Sequence, residues 1–125
     1  MLDTSVAIPL RESDAEILGR VAALGGDLMI SAVTRVELEN GVYRDLALTA
    51  HRRALLDTML KSILVVPFDD QCAAIFGQLA AQLGWSRSNT IDRMIAACAI
   101  ANDATLVTLN GRDFRDLPGL QLVEW

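Results

Sequence analysis

Short apolar runs alternate along this chain with longer stretches whose apolar residues recur every three or four positions, and that alternation restricts the possible folds more than any other feature. The runs at 28–30, 63–66 and 105–108 are bounded by turn or polar residues and read as buried strands, with 121–123 as a weaker one. Between them, 14–24, 32–44, 49–61, 70–83 and 90–101 carry helical spacing. Ser13, Ser31, Asp69 and Asn89 stand where helix caps are expected, and Gly84 and the Asn102-Asp103 pair mark stops. Strands that alternate with helices need crossover connections, which give parallel pairing with helices on both faces. The prediction is a three-layer α/β/α domain with a central, mainly parallel sheet of four or five strands. In such sheets ligands gather at the carboxyl ends of the strands, so polar residues just past a strand are the ones to examine.

A chain of 125 residues fits a single domain spanning 1–125. Its longest apolar runs, such as 94–101, fall well short of the roughly 20 residues that cross a bilayer. The opening Met1-Leu2-Asp3 lacks the basic and apolar regions of a secretory signal, and a cytoplasmic location is expected. Cys72 and Cys98 have no partner at metal-binding or redox spacing and read as reduced core thiols.

The net charge of −5 argues against a nucleic-acid partner, yet ten of the eleven basic residues are Arg. Four of them, Arg87, Arg93, Arg112 and Arg115, lie in the last third beside Asp92 and Asp113. Arg forks onto phosphate oxygens. The competing reading for each is a solvated surface residue.

Four carboxylates merit attention, and each has an ordinary structural reading too. Asp3 follows an apolar dipeptide and precedes Val6-Ala7-Ile8, where it is either a helix cap or a site residue. Glu37 lies beside the apolar stripe of its helix, whereas Glu39 reads as solvent-facing. Asp92, three residues after Asn89, is either half of a capping box or an acid held at the mouth of the core by the apolar run behind it. Asp113 follows the 105–108 strand in Asn110-Gly111-Arg112-Asp113, which is also ordinary turn chemistry. Thr108 and Asn110 add uncharged oxygens nearby. Asp69-Asp70 reads as a cap.

Taken in order, Leu2-Asp3-Thr4-Ser5, the stretch from Ser31 to Leu38, the stretch from Asp92 to Ala99 and the stretch from Leu106 to Phe114 resemble PIN-domain toxins of the VapC family. The resemblance implies that Asp3, Glu37, Asp92 and Asp113 bind metal, with Thr4, Thr108 and Asn110 in support. Three departures stand out: Asn110 where some members carry an acid, Ser5 where Asn is usual, and a very short lead before Asp3. The short lead points to a truncated opening strand or a start that lies upstream.

Carboxylates brought together repel one another unless protonated or bound to a cation, and hard oxygen ligands favour Mg²⁺ or Mn²⁺. The implied activity is a metal-dependent endoribonuclease that leaves 5′-phosphate and 3′-hydroxyl ends, with Arg87, Arg93, Arg112 and Arg115 as RNA-binding candidates. The implied partners are RNA, a cognate VapB-like antitoxin and a second copy in a homodimer, for which Arg52, Arg53, Trp85 and the helix around 73–83 are candidate interface elements. Trp85 reads equally well as a residue closing the core. His51 sits alone on a charged helix face, which disfavours a histidine-based ribonuclease. Two rivals remain: a metal-free PIN-like interaction module, and an aspartyl phosphotransfer or phosphatase domain with Asp3 as nucleophile, which would resemble Asp-x-Asp where this chain has Ser5.

Overall fold

The runs expected to be strands pair in parallel. In the computed structural model, which describes residues 1–125, β1 (Met29–Ser31) lies beside β2 (Leu64–Val66), and β3 (Leu106–Thr108) lies beside β4 (Leu122–Glu124). The extended opening residues join the two pairs. Leu2 donates its backbone N–H to Met29 O at 2.8 Å, Val107 donates to Met1 O at 2.9 Å, and Asp3 donates to Val107 O at 2.9 Å. The lateral order is therefore β2, β1, residues 1–3, β3, β4, with the start of the chain as the central lane.

Alternation along these lanes divides the core in two, because successive residues of an extended chain face opposite sides. Leu2 and Val107 pack on one face with Val6, Ile17, Leu38 and Leu56. Met1 and Leu106 pack on the other with Cys72, Ile95, Cys98 and Phe114. The first face is covered by α1 (Thr4–Arg11), α2 (Ala15–Ala22), much of α3 (Ala32–Tyr43) and α4 (Thr49–Met59), the second by α5 (Asp70–Leu83) and α6 (Thr90–Ala101). Helices on both sides of a parallel sheet make the expected three layers.

Helix α1 has no counterpart in the predicted elements. It is only eight residues long and contains Pro9, which has no N–H for the helical ladder and weakens the sequence signal. Its cap is Asp3, whose carboxylate accepts from Ser5 N at 3.3 Å. The cap of α2 is Asp14 rather than Ser13: Asp14 Oδ1 accepts from Glu16 N and Ile17 N, both at 3.0 Å, while Ser13 turns the chain at φ 62°. Ser31 and Asp69 cap α3 and α5 as expected, accepting from Thr34 N at 2.9 Å and Cys72 N at 3.0 Å. Asn89 precedes α6 but makes no side-chain cap bond. Cys72 and Cys98 are free and buried, and no helix is long and apolar enough to cross a membrane.

Candidate active site

Asp3 ends the central lane and begins α1, so it stands at the carboxyl edge of the sheet with only 4% of its surface exposed. Its Oδ2 accepts from Ser5 Oγ at 2.6 Å and from Thr108 Oγ1 at 2.8 Å. Each hydroxyl has a single hydrogen and directs it to the carboxylate, so the 3.2 Å approach of Ser5 Oγ to Thr108 Oγ1 follows from their shared acceptor. Their lone pairs are used as well: Ser5 Oγ accepts from Leu109 N and Thr108 Oγ1 accepts from Asn110 N, both at 3.0 Å. Asp3 has no Lys or Arg partner, and its Oδ1 accepts no hydrogen bond.

Thr4, the first residue of α1, brings in the second acid. Its Oγ1 donates to Glu37 Oε2 at 2.5 Å, tying α1 to α3 beside Asp3. Glu39, two residues further round the helix, points elsewhere. It is half-buried between Arg35 and Arg53, with a 2.7 Å ion pair to Arg53 that holds its carboxyl below the usual range, and it is not the solvent-facing residue expected. Arg53 is thereby tied to Glu39, and Arg52 donates to Gly41 O at 3.1 Å, so both interface candidates serve the α3–α4 contact.

Asp92 lies in the first turn of α6, and Asp113 closes the 3₁₀ turn Gly111–Asp113 just past β3. Burial first, and then the negative charges of Asp113, Asp3 and Glu37, together push the Asp92 carboxyl up from its ordinary 3.8 to about 6. Asp92 therefore senses all three other acids. It accepts no hydrogen bond, so the capping-box reading does not describe it. Asn110 Nδ2 donates to Asp113 Oδ2, and Arg112 Nε stands 3.8 Å from Asp113 Oδ1.

The acids converge without closing up: no three acidic, imidazole or thiol side chains stand at distances that would let them share an ion. The donor set nevertheless suits a hard divalent cation. Asp3, Glu37 and Asp92 offer oxygens with no basic partner, and a positive charge among them would relieve the repulsion felt at Asp92. Asp113 is exposed, Glu37 and Asp92 are half-buried and Asp3 is buried behind them, whereas cavities of about 360 and 380 Å³ are lined by other residues, one between α1, α2 and α4 and the other at the amino ends of the strands.

The four arginines of the last third separate into two kinds. Arg87 is exposed, and the Arg112 side chain is 87% exposed near Asp113. Arg93, one residue on from Asp92, is turned about 100° round α6 and is buried, with Nη1 donating to Gly84 O at the end of α5. Arg115 is held by Glu124 in a two-pronged ion pair. Neither Arg93 nor Arg115 is left open toward the acids, contrary to the expectation that all four would flank them. Trp85 is 62% exposed and does not close the core.

A parallel sheet between helices, with acids from the opening segment, α3, α6 and the turn after β3 on one edge, defines a PIN-type domain. The chain belongs to the PIN domain family, which matches residues 1–120. Within that family it is similar to the tRNA(fMet)-specific endonuclease VapC of Salmonella typhimurium, 30% identical over 100% of this chain and 96% of that protein. It is also similar to ribonuclease VapC2 of Rickettsia felis, 32% identical over 82% of this chain and 78% of that protein. Among solved structures, VapBC2 of Rickettsia felis bound to a DNA fragment from its promoter superposes with a TM-score of 0.88 at 28% identity, covering 100% of this chain and 97% of that one. DNA-bound VapBC of Salmonella typhimurium gives 0.86 at 30% identity, covering 100% and 96%.

Proposed function

We propose that this chain is a divalent-metal-dependent endoribonuclease and the toxin member of a VapBC-type toxin–antitoxin pair, acting at the rim that carries Asp3, Glu37, Asp92 and Asp113. The observation that carries the reading is the gathering of Asp3, Glu37 and Asp92 at one edge of the sheet with no basic partner, close enough with Asp113 for their charges to raise the Asp92 carboxyl beyond what burial does. The family relationship and the similarity to VapC ribonucleases support the same chemistry.

Asp3, Asp92 and Asp113 are the residues to hold Mg²⁺ or Mn²⁺. When bound, such an ion offsets the acidic charge, draws in the phosphodiester and activates the attacking water. Glu37, oriented by Thr4, either shares in holding the ion or takes a proton from that water at its free Oε1. Ser5 and Thr108 hold Asp3 so that Oδ1 remains available. Arg112 and Arg87 are the open cations for RNA phosphates. Residues 1–125 act as one PIN-like domain in the cytoplasm, as a homodimer paired with a cognate VapB-like antitoxin.

The test is cleavage of a total-RNA pool with Mg²⁺ or Mn²⁺ by the wild type and by Asp92→Asn, with the new ends mapped. Metal-dependent 5′-phosphate ends that disappear in the variant are expected. Equal cleavage by Asp92→Asn, or cleavage unaffected by chelation, overturns the reading. Calorimetry that detects no Mn²⁺ binding would favour a metal-free interaction module instead.

A further inference from the structure

We propose that Glu124 and Arg115 are positioning residues that set the turn presenting Asp113, with Gly111 as the seat on which they close. The inference rests on the reading of Asp113 as a metal-holding acid and identifies what keeps that acid in place.

Asp113 lies on the most exposed of the four acid-bearing segments, in a 3₁₀ turn of three residues. A turn this short has little stability of its own. On one side it is anchored by Phe114, which is 1% exposed in the core. Within the turn, Asp113 N donates to Asn110 O at 3.2 Å, Asn110 Nδ2 donates to the Asp113 carboxylate, and the Gly111 carbonyl accepts from Phe114 N at 3.0 Å and from Arg115 N at 2.9 Å. The other side is closed by Glu124. Strand β4 sets Glu124 opposite Thr108, and Trp125 N donates to Thr108 O at 2.9 Å, so its register is fixed by the strand that leads into the turn.

From that position the Glu124 side chain lies across the Gly111 backbone. A Cβ at position 111 would overlap the Glu124 carboxyl carbon and Oε2. Gly111 does not have a positive φ, so what glycine supplies here is room for this carboxylate, which a Cβ would make swing aside, rather than backbone freedom. Arg115 then holds the carboxylate with both prongs, Nε to Oε1 at 2.7 Å and Nη2 to Oε2 at 2.6 Å. A lone surface ion pair contributes little, because two flexible side chains must be ordered to form it. This pair differs because its geometry is a planar fork, the carboxylate is registered by β4, and the guanidinium belongs to the turn being held. Glu124 thus lies against Gly111 while it is paired to Arg115, and Asp113 lies between those two residues of the turn. Nothing in the local sequence links position 124 to position 113.

The experiment compares wild type, Glu124→Gln, Arg115→Met, the double variant and Gly111→Ala. It measures Mn²⁺ affinity by calorimetry without RNA, amide exchange at 113 and 114, thermal stability, and kcat and KM at limiting and saturating Mn²⁺. Each single variant should weaken Mn²⁺ binding about 10-fold, the usual range for a residue supporting a ligand. The double variant should be no worse than the weaker single, because the two residues act as one unit. The amides of Asp113 and Phe114 should exchange about 10-fold faster while those of the buried α6 core are unchanged. Lost kcat should return at saturating Mn²⁺.

Variants with wild-type Mn²⁺ affinity, or additive losses in the double variant, overturn the proposal. So does an Arg115→Met effect confined to KM and its salt dependence, which would make Arg115 a phosphate contact instead. If Gly111→Ala fails to fold, the Glu124 and Arg115 variants decide. Wild type that binds no Mn²⁺ sinks the metal reading of Asp113 and this inference with it. Wild type that binds Mn²⁺ beside unaffected variants sinks only the clamp.

Discussion

Thr108 Oγ1 donates to Asp3 Oδ2 at 2.8 Å, joining residues 105 positions apart at the carboxyl edge of the sheet. The same hydroxyl accepts from Asn110 N at 3.0 Å, so one buried group orients an acid and starts the turn toward Asp113. Thr108→Val keeps the shape and removes both bonds. It should cost about 1–3 kcal/mol in urea unfolding, because the buried Asp3 carboxylate and the part-buried Asn110 amide each lose a partner. Thr108→Ser should restore most of that stability; a valine variant as stable as wild type would contradict the assignment.

Thr4 has a narrower role, since its hydroxyl reaches only Glu37. Thr4→Val should lower kcat roughly 10-fold with KM little changed, and Thr4→Ser should recover it, in the range seen for groups that orient a site residue. Steady-state cleavage of an RNA substrate at fixed Mn²⁺ measures this. Equal losses in the serine and valine variants would show that the hydroxyl is not the operative group.

The raised Asp92 carboxyl has consequences for stability. Between about pH 4 and pH 6 the folded protein holds a proton that the unfolded chain has released, so the metal-free fold loses stability as pH rises through that window. Above pH 6 the penalty is complete. Asp92→Asn should therefore melt higher than metal-free wild type at pH 7.5, and the difference should vanish near pH 4. Added Mn²⁺ should raise the wild-type Tm above pH 6 and have less effect on the variant. A Tm difference that ignores pH would show that the repulsion at Asp92 is not felt.

Arg93 and Arg112 should separate cleanly. Arg93 is buried at the end of α5, so Arg93→Met should lower stability by about 1.5–3 kcal/mol, the range for a charged hydrogen bond, without altering the salt dependence of RNA binding. Arg112 faces solvent beside Asp113, so Arg112→Gln should leave Tm unchanged and reduce the slope of log affinity against log salt by about 0.7, one phosphate on single-stranded RNA. Thermal melts and binding titrations at several salt concentrations would distinguish them, and a reversed pattern would show that Arg93 reaches the RNA.

The alternation of apolar runs with helical spacing determined the layers, the parallel pairing and every strand to within a residue or two, and α5 and α6 at their observed bounds. Ser31 and Asp69 were legible as caps because a cap is a contact over three residues. These features depend on short-range periodicity and local hydrogen bonding, which a linear reading captures. The four acids were legible as a set through the resemblance of four motifs taken in order, since each alone had an ordinary structural reading.

Tertiary structure decided the rest. Residues 1–3 become the central lane only when β1 and β3 flank them, and Asp3 then serves as both cap and candidate ligand. Glu39 is drawn to Arg53 on another helix, Arg93 is turned to the end of α5, and Glu124 comes to rest on Gly111. None of these contacts has a local signature. Each depends on which side chains distant chain segments bring together, and on where their charges and hydrogen bonds can be satisfied once the two core faces have closed.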